Sequence, residues 1–211
     1  MKAKVIFFLT ALLISGLSLQ SQIKTIELFN GKNLDGWGFF LADETKKPEE
    51  VFTVKEGVIR IGGDPFGYMY TEDKYSNFHL SVEWRWPEEA TNSGIFLYVQ
   101  DENKIWPNSI ECQLFAGYAG DFIAMGGTEI VAESGITLDR AALRKKNDSS
   151  ENPVGEWNNA DITCENGVIT VYINGVFQNK AGVSAQKSGK IALQSEGKAI
   201  EFRHVRLTPL Q

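Results

Sequence analysis

The chain has 211 residues, 43% of them hydrophobic and 23% charged, with a formal net charge of −6 at pH 7. That acidity, with no Lys/Arg cluster to oppose it, argues against a nucleic-acid partner. Two cysteines and two histidines are too few for a disulfide framework, and no Cys/His spacing suits zinc.

From the N-terminus, Lys2 and Lys4 precede an apolar run from Val5 to Leu19, followed by Ser-Leu-Gln-Ser-Gln. A basic start and a short apolar stretch form the pattern of a cleaved secretory signal, expected over residues 1–21. The run falls short of the ~20 residues of a membrane span. No cysteine stands near the cleavage region, which argues against a lipoprotein anchor. The reading is an exported protein, periplasmic or extracellular, with no membrane span. Loss of Lys2 and Lys4 takes the net charge from −6 to −8. Residues 22–211 are expected to form one domain, since ~190 residues suit a single large all-β fold.

Along that domain, turn dipeptides such as Asn30-Gly31, Glu56-Gly57, Asn166-Gly167, Asn174-Gly175 and Glu196-Gly197 punctuate short alternating runs rich in Val, Ile, Phe, Tyr and Thr. This is the rhythm of an antiparallel two-sheet β-sandwich. Strands are expected over 52–54, 58–61, 68–71, 78–86, 94–99, 109–115, 159–165, 168–173, 189–195 and 200–207. Asn166-Gly167 predicts a type I′ hairpin. Leu138 to Lys146 suggests a helical turn or two. The stretch 116–158 carries few strand signals and many glycines, and long irregular loops on a sandwich usually frame a site. Cys112 and Cys164, each between apolar neighbours in a strand, fit either one disulfide or two buried thiols.

Two strands carry chemistry. In Val82-Glu83-Trp84-Arg85-Trp86, alternation sets Glu83 and Arg85 on one face and the apolar side chains on the other. In Ile110-Glu111-Cys112-Gln113-Leu114, it sets Glu111 and Gln113 opposite an apolar face. An acid followed by a nitrogen-bearing side chain on both strands predicts one shared polar cleft. The plainer alternative for Glu83 and Arg85 is an exposed ion pair worth under ~1 kcal/mol. Gln194 and Glu196 form a third candidate pair, and Asn92, Tyr98 and Trp106 could supply hydrogen bonds and an aromatic platform. Sugars need that mixture of flat apolar faces, amides and carboxylates. Trp37, Trp84 and Trp157 read as core, His79 as structural and His204 as surface. With so few histidines a Ser-His-Asp triad has little support.

The ordered segments LFNGKNLDGW, FTVKEGVIRI, EWRWPEEATNSGIFLYV, IECQLF, PVGEWN, VYINGV and IALQSEGKAIEFRHVRL together resemble the DUF1080 family, the 3-keto-disaccharide hydrolase domain. The likeness runs from about Ile26 to Leu210. It implies a concanavalin A-like jelly-roll sandwich of the lectin/glucanase type. It also implies action on glycosides whose C3 hydroxyl a separate sugar oxidoreductase has oxidised. A ketone at C3 acidifies the C2 proton, so a carboxylate can remove it, and the enolate needs a positive or hydrogen-bonding partner. The aglycone then leaves C1 by β-elimination and water adds to the enone. Carried over by motif, the site residues are Glu83 and Arg85 of EWR, Asn92 of NSGIF, Glu111 and Gln113 of IECQ, and Gln194 of LQSEG. Glu111, Glu83 and Arg85 are the expected catalytic groups; the base is one of the two carboxylates, Glu111 being the first to test and Glu83 the alternative. Asn92, Gln113, Tyr98, Trp106, Gln194 and Glu196 are the expected substrate contacts. The segment AGYAGDFIAMGG after Gln113 departs from the commoner family pattern, which is Asp-rich there. No cofactor is expected, and a cation such as calcium is left open.

A non-catalytic carbohydrate-binding module of the same fold is the competing reading, because fold does not fix activity. A conventional two-carboxylate glycosidase is disfavoured, since the E-x-D-x-x-E strand of the glucanases of this fold is absent from the sequence.

Overall fold

The structure, a computed structural model, describes residues 24–139, 142–183 and 187–210. The expected signal segment lies outside the described residues. Among the described residues the strands in chain order are β1 (Ile26–Glu27), β2 (Trp37–Leu41), β3 (Phe52–Lys55), β4 (Val58–Ile61), β5 (Gly67–Thr71), β6 (Phe78–Arg85), β7 (Gly94–Val99), β8 (Ser109–Gln113) and β9 (Phe122–Met125). They continue with β10 (Glu129–Ala132), β11 (Thr137–Asp139), β12 (Ala142–Leu143), β13 (Asn158–Glu165), β14 (Val168–Ile173), β15 (Val176–Val183), β16 (Lys190–Ser195) and β17 (Ile200–Pro209). One short helix, α1 (Pro48–Val51), precedes β3.

Two antiparallel sheets face each other. The first runs β11-β10-β15-β14-β13-β6-β17-β4-β3, with β1 also paired to β17; the second runs β12-β9-β8-β7-β16-β5-β2. Their inner faces meet in one apolar core that takes Phe78, Leu80, Val82 and Trp84 from β6 and Ile110 and Cys112 from β8. Strict alternation produces this arrangement: along β6 every second residue is buried, while His79, Ser81, Glu83 and Arg85 point outward, half-buried. The predicted jelly-roll sandwich is therefore the observed architecture.

The Asn166-Gly167 hairpin forms as predicted. Glu165 pairs with Val168, and both turn residues take positive φ, 52° and 79°, which a type I′ turn requires. Asn174-Gly175 does the same between β14 and β15.

Several expectations need correction. Among its described residues, Leu138 to Lys146 is not helical: β11 ends and β12 lies there, β12 pairing with β9. The region 116–158 contains β9 and β10 as well, four short strands that carry no clear alternation. At Tyr98 the backbone turns to φ 58°, and the β16–β7 register slips between Lys190 and Ala192. That bulge re-aims Tyr98 into the core, where its hydroxyl donates to the Ser76 carbonyl at 3.0 Å. Tyr98 is therefore not a substrate contact. Cys112 and Cys164 are both free thiols buried in the core.

Candidate active site

Because the inner faces are consumed by the core, chemistry is confined to the two outer faces, and these differ. On the second sheet, the β8 register sets Glu111 opposite Phe96 of β7 and Ile123 of β9. Gln113 stands opposite Gly94, and Ser109 opposite Met125. The Glu111 carboxyl lies across Gly94, where any added Cβ would overlap it. Glycine at that point is what allows the side chain to lie down on the sheet.

Above this floor opens a cleft of about 570 Å³ lined by Asn92, Trp106, Glu111, Gln113, Ile123, Met125 and Glu196, with Ala124 and Gly126. Glu196 follows β16, and its Oε2 accepts from Gln194 Nε2 at 2.8 Å. The Asn92 side chain also hydrogen-bonds Glu196. Ser93 Oγ donates to the Gln194 carbonyl at 2.9 Å, and Lys198 N to Thr91 Oγ1 at 2.9 Å, so the two segments are laced together. Trp106 comes from the 100–108 loop, which folds over the sheet and is held by Tyr68, whose hydroxyl donates to the Lys104 carbonyl at 2.8 Å.

The electrostatics set the two cleft carboxyls apart. Glu111 is 4% exposed, and burial, aided by the nearby Glu196 charge, pushes its pKa up to about 8. Its Oε1 has no partner among the described residues. Glu196 is also raised by burial, but the amides of Asn92 and Gln194 oppose the shift by holding its charged form. Donating to Glu196 leaves Asn92 Oδ1 and Gln194 Oε1 buried and unpaired, two acceptors beside Glu111. Gln113 is the reverse. Its Oε1 accepts from the Leu114 and Phe115 N–H groups, both at 3.0 Å, so its –NH2 remains as a donor on the cleft wall. Among the described residues no group of His, Cys, Asp and Glu side chains is arranged to hold a metal ion.

Residues 24–208 match the 3-keto-alpha-glucoside-1,2-lyase-like domain family. The chain belongs to that family. It is thus a carbohydrate-active, glycoside-acting domain. None of the functionally curated proteins matches the chain. Among solved structures, a “putative glycosyl hydrolase” from Parabacteroides distasonis ATCC 8503 is similar, at 23% identity and TM-score 0.66, covering 89% of this chain and 100% of that one. The carbohydrate-binding module CBM66 from Bacillus subtilis (13% identity, TM-score 0.57, 81% and 94% of the two chains) shares the fold. So does a β-glucanase from Bacillus licheniformis (11% identity, TM-score 0.58, 88% and 97%). At such identities these likenesses establish the sandwich alone.

Within this lyase-like domain, the structure brings together Asn92, Trp106, Glu111, Gln113 and Glu196, with Gln194 beneath them. It does not bring Glu83 and Arg85 to them. Both project from the outer face of the first sheet, because β6 belongs to that sheet while β8 belongs to the second. There Glu83 accepts from Arg203 Nε at 2.6 Å and lies 2.8 Å from His204 Nδ1. Arg85 Nε donates to Glu201 at 2.7 Å. The guanidinium carbons of Arg85 and Arg203 stand 4.5 and 4.0 Å from the centre of the Trp157 ring. Burial pushes Glu83 up, but hydrogen bonds from His204 and Arg203 outweigh it and hold its carboxyl below the usual range. The shared cleft expected from alternation is therefore corrected: Glu83 and Arg85 form an ionic surface cluster on the opposite side of the molecule.

Sequence reasoning missed Ile123 and Met125. The four residues of β9 are a short, nearly all-apolar run in a glycine-rich stretch, and the only signal was that this irregular region should frame a site.

Proposed function

We propose that this domain is an exported enzyme that cleaves 3-keto-glycosides by C2 proton abstraction, β-elimination and hydration, with Glu196 and Glu111 as its base and acid. The observation that carries the reading is the unequal pair of carboxyls in one cleft. Two titratable groups whose surroundings push their pKa values apart divide naturally into acid and base. Glu111, buried and without a charge partner, keeps its proton at neutral pH. Glu196, stabilised by Asn92 and Gln194, is the group that ionises first. This reverses the role expected for Glu111 from the sequence.

In this scheme Glu196 takes the C2 proton, and the electron pair moves onto the C3 ketone as an enolate. The Gln113 –NH2, held in place by two backbone N–H groups, is the cleft donor available to that oxygen; Arg85, on the far side, cannot serve. The enolate collapses, the C1–O bond breaks, and Glu111 gives its proton to the departing oxygen. Glu111, now ionised, removes a proton from the water that adds at C1, and half-buried Glu196, its acid proton exchanged with solvent in the meantime, protonates C2. Both carboxyls end as they began. Asn92 lines the cleft beside the sugar, while Gln194 holds Glu196 from beneath. The ketone itself would be supplied by a separate oxidoreductase.

Purified protein incubated with an ordinary and a 3-keto glycoside bearing the same leaving group tests the reading. Release from the 3-keto glycoside alone is expected. Equal release from both would indicate a conventional glycosidase, and sugar binding with no release would indicate a lectin.

A further inference from the structure

The cleft floor changes character along β8. At the Gln113 end, Asn92, Gln113 and Glu196 line the cleft around Glu111, with Gln194 beneath, bonded to Glu196. At the Ser109 end, β9 contributes Ile123 opposite Glu111 and Met125 opposite Ser109. Trp106 rises from that end, where its neighbour Pro107 abuts Gly126, and its ring, 45% exposed, reaches across the cleft to within 6.2 Å of the ring centre of Phe66, itself 42% exposed.

Polar side chains do occur at this second end, but they are committed elsewhere. Ser109 Oγ donates to the Pro107 carbonyl at 3.1 Å. Thr128 Oγ1 donates to Asn108 Oδ1 at 2.8 Å, and Asn108 Nδ2 donates to the Gly126 carbonyl at 3.2 Å. A second sugar placed here would bring several hydroxyls to a surface that offers them little beyond the Trp106 indole. Burying hydroxyls without partners is costly. A flat apolar group loses nothing and covers the methionine, isoleucine and indole surfaces.

We infer that the glycosides cleaved here carry an aromatic or otherwise apolar aglycone, seated between Trp106 and Met125, with the oxidised sugar at the Asn92–Gln113 end and the scissile bond over Glu111. The inference rests on the 3-keto-glycoside reading and gives the substrate a direction in the cleft. It also gives a physical purpose to the segment after Gln113, from which Ile123 and Met125 come. Trp106 is a specificity-determining residue in this arrangement.

The test compares, in both anomers, the 3-keto derivatives of 2-phenylethyl glucoside and of a 1→6-linked glucose disaccharide. Both release a primary alcohol, so leaving-group chemistry is matched. The phenylethyl compound is expected to have the higher kcat/KM by about tenfold or more, mainly through KM, as loss of one aromatic contact surface would predict. Trp106→Ala, at an exposed position that folding does not need, is expected to collapse that ratio. Equal or better cleavage of the disaccharide, or a ratio that survives Trp106→Ala, overturns the inference and leaves the functional reading standing. Failure of both 3-keto compounds to be cleaved overturns the reading, and the inference with it.

Discussion

The two outer faces of the sandwich carry nearly the same pattern, Glu83-Trp84-Arg85 on one and Glu111-Cys112-Gln113 on the other, and they have opposite fates. On the first sheet each charge finds a counter-charge: Glu83 with Arg203 and His204, Arg85 with Glu201. On the second sheet Glu111 is buried, lies over a glycine and has an oxygen without a partner. Paired charges at a surface are stable and inert. A buried carboxyl with free lone pairs beside a second carboxyl stores free energy that a substrate can use. Residue type alone does not make a site; what surrounds the residue does.

The sharpest way to break the comparison is to remove the carboxylates one at a time. Glu196→Gln should lower kcat on a 3-keto glycoside by about 10³-fold, within the range of general base loss. Glu111→Gln should cost a similar factor on alkyl glycosides and far less on aryl glycosides, whose phenolate leaves without a proton. Steady-state kinetics on both substrate types checks this, and equal losses on both would contradict the acid role.

Gly94→Ala is the next largest. The added methyl overlaps the Glu111 carboxyl, and a displaced catalytic group costs about 10²-fold in rate. Folding should survive, because the colliding Oε1, Cδ and Cγ atoms belong to the Glu111 side chain and not to backbone. Circular dichroism alongside kinetics separates the two effects.

A stability measurement reads the buried carboxyl without substrate. Below pH 4.5 the folded and unfolded chains both hold the Glu111 proton. From there to about pH 8 the folded chain keeps a proton that the unfolded chain has released. Stability therefore falls as pH rises through this window, by on the order of 5 kcal/mol in total. Glu111→Gln should flatten that fall, gaining on the wild type at pH 9 and not at pH 4. Urea unfolding at the two pH values gives the comparison.

The smallest effects belong to the other face. Glu83→Gln and Arg85→Lys should leave kcat/KM within about twofold and cost under ~1 kcal/mol each, as partly exposed ion pairs do. A large loss of turnover with normal folding would return these residues to the site and undo the contrast.

Much of this was legible in the sequence, and the misses have physical causes. Period-two alternation set Glu111 and Gln113 away from Ile110, Cys112 and Leu114, and it set Glu83 and Arg85 away from Trp84, correctly in both cases. It could not say which sheet each strand joins. β6 and β8 alternate alike, and only long-range pairing, β6 between β13 and β17, and β8 between β7 and β9, separates them. Tyr98 was misread because one bulged residue reverses the alternation beyond it. The polarity of the cleft was hidden because Asn108, Ser109 and Thr128 look available in sequence and are spent on one another and on nearby backbone in the fold.

The central claim is that cleavage proceeds through loss of the C2 proton to Glu196. The most direct measurement is the reaction of a 3-keto glycoside in heavy water, with deuterium read at C2 of the released sugar and corrected for uncatalysed exchange. The account predicts deuterium at C2 with the wild type and with Glu111→Gln, and none above background with Glu196→Gln. Cleavage by the wild type without deuterium at C2 would contradict it.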